Sequence, residues 1–255
     1  MTTSIRNRVP VILFLYWVIK IASTTLGETG ADMFSMTFNL GYSETILIFI
    51  ALFLFLLALK LWIKKYDPVL YWLVFTSTAI AGTALSDYID RTLHLGYALG
   101  SSLLILMLIA SLLLWYRTES SISVESIYTS KAEVFYWVSF LIANTLGTAL
   151  GDFLADELGI GFLTSAMLIA SMLVVTTLLH YYSRMSGIVL FWVAFVLTRP
   201  FGATFGDLLT KPLDSGGLNL GTTGASAFFA ILLMMTVVVE VKMEIKRRGS
   251  GRQSG

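Results

Sequence analysis

Eight long stretches almost free of charge leave this chain one class of fold. They run Pro10–Thr25, Thr45–Ile63, Pro68–Ser86, Leu95–Tyr116, Val134–Gly151, Ile160–Tyr182, Gly187–Gly206 and Leu218–Val239, and the charges inside them are Lys20, Lys60 and Arg199. A helix needs about 20 mostly apolar residues to cross a bilayer, where every backbone group must be satisfied within the segment. Of 255 residues, 56% are hydrophobic and 13% charged, against about 45–50% and about 25% in soluble domains. A soluble core is excluded. The expected fold is all-α, a polytopic membrane bundle of eight transmembrane helices. Arg6 and Arg8 ahead of the first stretch resemble the start of a signal peptide, but Lys20 interrupts its apolar region and no clear small-residue cleavage site follows, so it reads as a true helix.

Lys and Arg in short loops face the cytoplasm. The N-terminus, the second, fourth and sixth connections with their flanking helix ends, and the C-terminal tail hold 13 of the 17 basic residues, while the opposite loops hold Arg91 and Lys211. Those opposite ends carry Asp32, Glu44, Asp87, Asp90, Asp152, Asp156, Asp207 and Asp214 among others. Both termini are therefore expected inside and the acidic ends outside. Net charge is +1, so nothing in the balance suggests nucleic acid, and the basic tail ending in Lys246, Arg247, Arg248 and Arg252 fits attraction to anionic lipid.

The chain repeats itself. Trp17, Trp72, Trp137 and Trp192 are each followed ten residues later by Gly27, Gly82, Gly147 and Gly202, and fifteen residues later by Asp32, Asp87, Asp152 and Asp207. Gly41, Gly96 and Gly161 follow nine residues after the first three acids, and Gly221 matches them after an insertion around Lys211–Ser215. This pattern predicts four tandem helical hairpins, at about 9–65, 66–118, 131–184 and 185–242, with a cytoplasmic loop at 119–130 and a basic tail at 243–255. The Trp spacings of 55, 65 and 55 residues place the longer loop between two halves of two hairpins. The four repeats resemble a family of bacterial integral membrane proteins of uncharacterised function, each built of four tandem two-helix repeats with a signature tryptophan. That resemblance implies the architecture and a bacterial cytoplasmic membrane, and it brings no substrate and no active site.

Ser23, Thr78, Ala143 and Thr198 lie four residues before the repeat glycines and Ala31, Ser86, Gly151 and Gly206 four after them. Such small-residue stripes let helix backbones approach closely in lipid. The tryptophans either anchor at the interface or fill the bundle. The four aspartates follow the stripe by one residue and should face one environment, so repeats arranged about an axis would set them in a ring. The plainer reading is that each meets water or caps a helix. One turn deeper stand Glu28, Thr83, Thr148 and Ala203, and a lone acid in that layer is costly unless it titrates, pairs or binds a cation. A further turn in stand Thr24, Ala79, Asn144 and Arg199, and Pro200 removes a hydrogen bond from Val196, which predicts a break in that helix. Arg199 either shapes a site with Glu28 and Asn144 or neutralises Glu28. Lys20 is expected to snorkel to the cytoplasmic face, the alternative being that it joins that pair.

Without cysteine a thiolate metal centre is excluded, and with only His94 and His180 a histidine-built one is not expected. His94 aligns with Asn39, Gly159 and Asn219 at a turn, and His180 belongs to an aromatic belt with Tyr181 and Tyr182. No phosphate loop, hydrolase elbow or metalloprotease helix is present, and an enzyme is not expected. The leading expectation is a transporter or channel for a small ion, most simply a hard cation such as Mn²⁺, Mg²⁺, Na⁺ or H⁺. Its candidate residues are Asp32, Asp87, Asp152 and Asp207 outside, with Glu28, Asn144 and Arg199 deeper. The lipid bilayer and the ion are the expected partners, with no resident cofactor and no nucleic acid, and a homo-oligomer is compatible with the sequence. The alternative is a non-transporting scaffold or sensor, which requires a dry, fully paired interior.

Overall fold

The computed structural model describes residues 7–250, so Arg6 and Arg252 lie outside the described residues. Eight long helices follow one another: α1 (Phe14–Asp32), α2 (Gly41–Ile63), α3 (Pro68–Asp87), α4 (Tyr97–Glu119), α5 (Ser130–Asp152), α6 (Phe162–Tyr182), α7 (Gly187–Thr210) and α8 (Thr222–Ser250). Local chemistry sets their ends. Asp67 caps α3 by accepting the Leu70 N–H, with Pro68 in the first turn, and Thr129 caps α5 at Ala132, each satisfying an otherwise orphaned donor. At the acidic end, α1, α3 and α5 widen into single π-helical turns, Met33–Thr37, Tyr88–Thr92 and Phe153–Glu157. Asn39, His94, Gly159 and Asn219 then take left-handed backbone at φ 54–66°. Asparagine and glycine tolerate that region best, so His94 is a turn residue as its alignment predicts.

All of these long helices except α1 are long and apolar enough to cross a membrane. In α1, Lys20, Glu28 and Asp32 are interspersed with Ser23, Thr24, Thr25 and Thr29, which lowers its hydropathy. The protein is a multi-pass helical membrane protein with internal repeats. The even helices stand outside and expose Leu47, Phe55, Leu106 and Met167. Trp62, Tyr116, Tyr181 and Tyr182 are exposed near their C-terminal ends, as a belt at one lipid–water interface requires. The helix α8 runs on to Ser250, so the basic run from Lys242 to Arg248 is helical rather than a separate tail.

The odd helices form a closed central ring, α1 against α3, α3 against α5, α5 against α7 and α7 against α1. The repeat glycines close it. A Cβ added to Gly27 would come within 2.6 Å of Ala79, one on Gly82 within 2.9 Å of Asn144, and one on Gly202 within 2.6 Å of Thr24, while one on Gly147 would collide with Arg199. Each repeat glycine therefore meets the residue three positions before the equivalent glycine of the next helix. The two helices of a repeat pack mainly on other repeats: α2 lies on α3, α4 on α5, α6 on α7, and α8 returns to α1. The expected break at Pro200 is corrected as well. The helix α7 is continuous through it, because the proline ring sits over Gly147 of α5, where a Cβ would stand only 3.0 Å from Pro200 Cδ, and packing on that side offsets the lost hydrogen bond.

At the basic end, Arg8 and Lys60 converge on the buried Glu133 at 3.0 and 2.8 Å. Asn7 and Arg8 hydrogen-bond Val124 and Ile127, which fastens the N-terminal segment to the central loop between α4 and α5.

A candidate ion path on the bundle axis

Proceeding from the acidic end inward, the four repeat aspartates are each only 2–3% exposed. The reading in which they meet water is corrected, because the ring packing buries them. They are paired by the two basic residues of that end. Arg91 lies 3.2 Å from both Asp87 and Asp152, and Lys211 lies 2.8 Å from Asp32 and 3.1 Å from Asp207. Each cation stands four residues after an aspartate of its own repeat and reaches the neighbouring helix. Repeats 1 and 3 have Met36 and Asp156 at that position, so the ring is bridged with two-fold rather than four-fold symmetry. Burial opposes the charge on the Lys211 ammonium, but Asp207 and then Asp32 outweigh it and hold its pKa above the usual lysine range. Among the described residues no three His, Asp or Glu converge to hold a metal.

One turn deeper, Glu28 and Arg199 meet on the axis, 3% and 1% exposed. Glu28 Oε2 accepts hydrogen bonds from Thr83 and Thr148, each at 3.2 Å, and from Arg199 Nη1 at 3.4 Å. Arg199 also donates to the Thr24 and Ala79 carbonyls at 3.1 and 3.4 Å and to the hydroxyls of Thr148, at 2.9 Å, and Thr83. Three neighbouring helices thus cradle one guanidinium. Room for Glu28 comes from Gly206, where an added Cβ would stand 3.0 Å from Glu28 Cβ. Asn144 does not join this pair. Its amide donates to Thr78 at 3.0 Å, and its Oδ1, like Arg199 Nε, is buried without a hydrogen-bond partner among the described residues.

Lys20 points inward and is fully buried, which corrects the expectation that it snorkels. Its ammonium donates to the Phe195 carbonyl at 2.9 Å and to Thr198, and lies 3.9 Å from the centroid of the Phe195 ring. No carboxylate among the described residues is ion-paired with it. Phe75, Phe140 and Phe195 occupy its position in the other three repeats and fill the same level, with ring centroids 3.9–6.4 Å apart.

A further turn toward the basic end lies a level of Tyr16, Tyr71, Tyr136 and Phe191. The Tyr71 and Tyr136 hydroxyls are 2.6 Å apart. Tyr16 faces them with a buried hydroxyl that stops short of hydrogen-bond geometry. The signature tryptophans fill the bundle here. Trp72, Trp137 and Trp192 are buried and Trp17 is half-buried. Trp72 donates to Glu240 of α8 at 2.5 Å, which also accepts the Tyr66 hydroxyl. Sequence reasoning missed the tyrosines and Glu240. The signals were present in the Tyr–Trp dipeptides at 16–17, 71–72 and 136–137 and in a lone acid within the valine run of α8.

The profile described as a Repeat of Unknown Function (DUF347) matches residues 15–66, 70–121, 135–186 and 190–246. No curated protein and no solved structure matches the chain. The four matches cover most of the sequence and coincide with the consecutive pairs α1–α2, α3–α4, α5–α6 and α7–α8, and the chain belongs to this DUF347 repeat family.

Proposed function

We propose that this protein carries a small cation across the bacterial cytoplasmic membrane along the axis of its odd-helix ring, with α1 as the eighth span and both termini cytoplasmic. The observation that carries the reading is Glu28. Three repeats place neutral Thr83, Thr148 and Ala203 at its position, so the fold does not require a charge there, yet this layer holds a buried carboxylate against a buried guanidinium at 3.4 Å. Ionisable groups inside a membrane bundle are expensive, and they mark ion pathways more often than they stabilise. The aspartates form the outer approach to this site, and the phenylalanine and tyrosine levels close its inner side. The 13-to-2 division of basic residues between the two ends supports the orientation.

The scaffold or sensor reading draws on the pairing of the aspartate ring by Arg91 and Lys211. Removing both central charges separates the two, since Glu28→Gln with Arg199→Gln leaves no stranded charge. In proteoliposomes tested with H⁺, Na⁺, Mg²⁺ and Mn²⁺, the wild type should pass at least one of them, and the double variant should keep its melting temperature and lose the flux. A stable double variant with wild-type flux, or a wild type that passes none of the four, would sink the transport reading.

A further inference from the structure

Resting on the transport reading, we infer that the cation is the proton, and that Lys20 and Tyr16 carry it through the inner half of the axis to a cytoplasmic cleft at Glu240. The first ground is packing. Between the Glu28 level and the tyrosines the axis is filled by Asn144, Arg199 and the level of Lys20 with Phe75, Phe140 and Phe195. At the outer ring, Arg91 and Lys211 already stand between the carboxylates, and no three ligands converge for a metal among the described residues. A metal ion needs a shell of about six oxygen ligands and would have to displace these side chains to gather it, whereas a proton needs only one relay water and the swing of one lysine.

The second ground is what stands along that axis. From the level of Asp32 to that of Tyr16 is sixteen residues of α1, about 24 Å of helix, most of the about 30 Å hydrocarbon core. Asp32, Glu28, Lys20 and Tyr16 all lie on this one helix. Lys20 holds its proton through a carbonyl, a hydroxyl and an aromatic face rather than through a carboxylate. Arg199 Nε and Asn144 Oδ1, buried and unpartnered among the described residues, stand between Glu28 and Lys20 and offer a donor and an acceptor to a relay water. On the other side, Tyr16 is one turn away, about 6 Å, and the flexible four-carbon stem of lysine covers that distance. Tyr16 in turn lines a cleft of about 20 Å³ with Glu240, Glu244 and Arg247, which is room for one water between the tyrosine level and the cytoplasmic end of α8.

The transfer is balanced at every step. Each group that receives a proton on one side releases one on the other, the O–H or N–H bond broken at the donor being replaced at the acceptor. The Lys20 ammonium swings past the phenylalanines, gives its proton to the Tyr16 hydroxyl as that hydroxyl passes one to water in the cleft, and returns as the neutral amine. That amine takes a proton from the relay water as the water takes one from the Glu28 carboxyl, protonated in turn from the aspartate level. Direction follows the gradient.

The repeats supply the variants. Tyr16→Phe installs the residue that repeat 4 carries as Phe191, and Lys20→Met keeps the length of the side chain while removing an unpaired buried cation. Both should fold. In liposomes holding a trapped pH dye, with the potential clamped by valinomycin and potassium, the wild type should acidify the lumen under an imposed proton gradient. Each variant should lower that rate by about 100-fold or more, the loss expected when a positioned proton-transfer group is removed. Glu240→Gln, which keeps an acceptor for Trp72 and turns an amide donor toward the Tyr66 hydroxyl, should lower it as well. Wild-type proton flux in stable Lys20→Met and Tyr16→Phe proteins would overturn the path. Uptake of Na⁺, Mg²⁺ or Mn²⁺ without proton flux would overturn the proton and leave the transport reading standing. Flux of no cation would overturn both.

Discussion

Glu28, Arg199 and Lys20 stand at positions where the other three repeats carry neutral residues, which makes single substitutions informative. Glu28→Gln alone strands Arg199, and breaking one partner of a buried pair costs about 3–5 kcal/mol. Its melting temperature should therefore fall, and adding Arg199→Gln should recover most of the loss, as thermal unfolding in detergent would record. Gly147 and Gly187 form a second contrast. A Cβ at Gly147 collides with Arg199, whereas one at Gly187 meets nothing within 4 Å. Overpacking a close contact costs about 1–3 kcal/mol, while Gly→Ala at an open helical position gains about 0.4–1 kcal/mol. Gly147→Ala should lower the melting temperature and Gly187→Ala should hold or raise it. Equal effects of the two would mean that the repeat glycines do not set the approach of the odd helices.

Among the elements, α7 is the one whose behaviour departs furthest from its sequence. Proline in a helix interior removes one hydrogen bond and crowds the preceding turn, at about 3 kcal/mol, yet α7 runs unbroken from Gly187 to Thr210. Its ring faces a glycine of α5, and Thr204 bonds back to the Pro200 carbonyl at 2.9 Å. Pro200 is then a packing residue and no unwound binding segment. Pro200→Ala should keep the melting temperature at or above that of the wild type and leave flux unchanged in proteoliposomes. Lost flux in a stable variant would restore a functional kink. The other departure is the pairing of elements. Helices α2, α4 and α6 each pack on the odd helix that follows, and α8 packs on α1, so each repeat is completed by its neighbour and the circle is completed by the two ends of the chain.

At the scale of the molecule, topology governs every functional statement. Both Ser120 and Asp156 are exposed and lie at opposite ends of the bundle. With Lys and Arg gathered at the end that holds Ser120, a cysteine at Asp156 should be labelled by an impermeant reagent from outside intact cells and one at Ser120 should not. The reverse labelling would invert the path. The two-fold bridging of the aspartate ring, by Arg91 on one side and Lys211 on the other, agrees with a chain of two halves divided by the longer central loop.

The features that depend on neighbours along the chain were legible in the sequence alone. Charge-free stretches located the helices, the Trp, Gly and Asp offsets located the repeats, and the alignment of His94 with Asn39 and Asn219 located turns, which the structure shows to be left-handed. The layer positions of Glu28 and Arg199 were legible because four aligned repeats fix which residues share a level. What only the tertiary structure decided were contacts between segments far apart: the even helix that covers each odd one, the burial of the aspartates behind Arg91 and Lys211, the approach of Glu240 to Trp72, and the direction of Lys20. A lysine stem reaches several ångströms either way from its Cα. Lys20 is held inward by a carbonyl 175 residues away in the chain, a partner that no local pattern encodes.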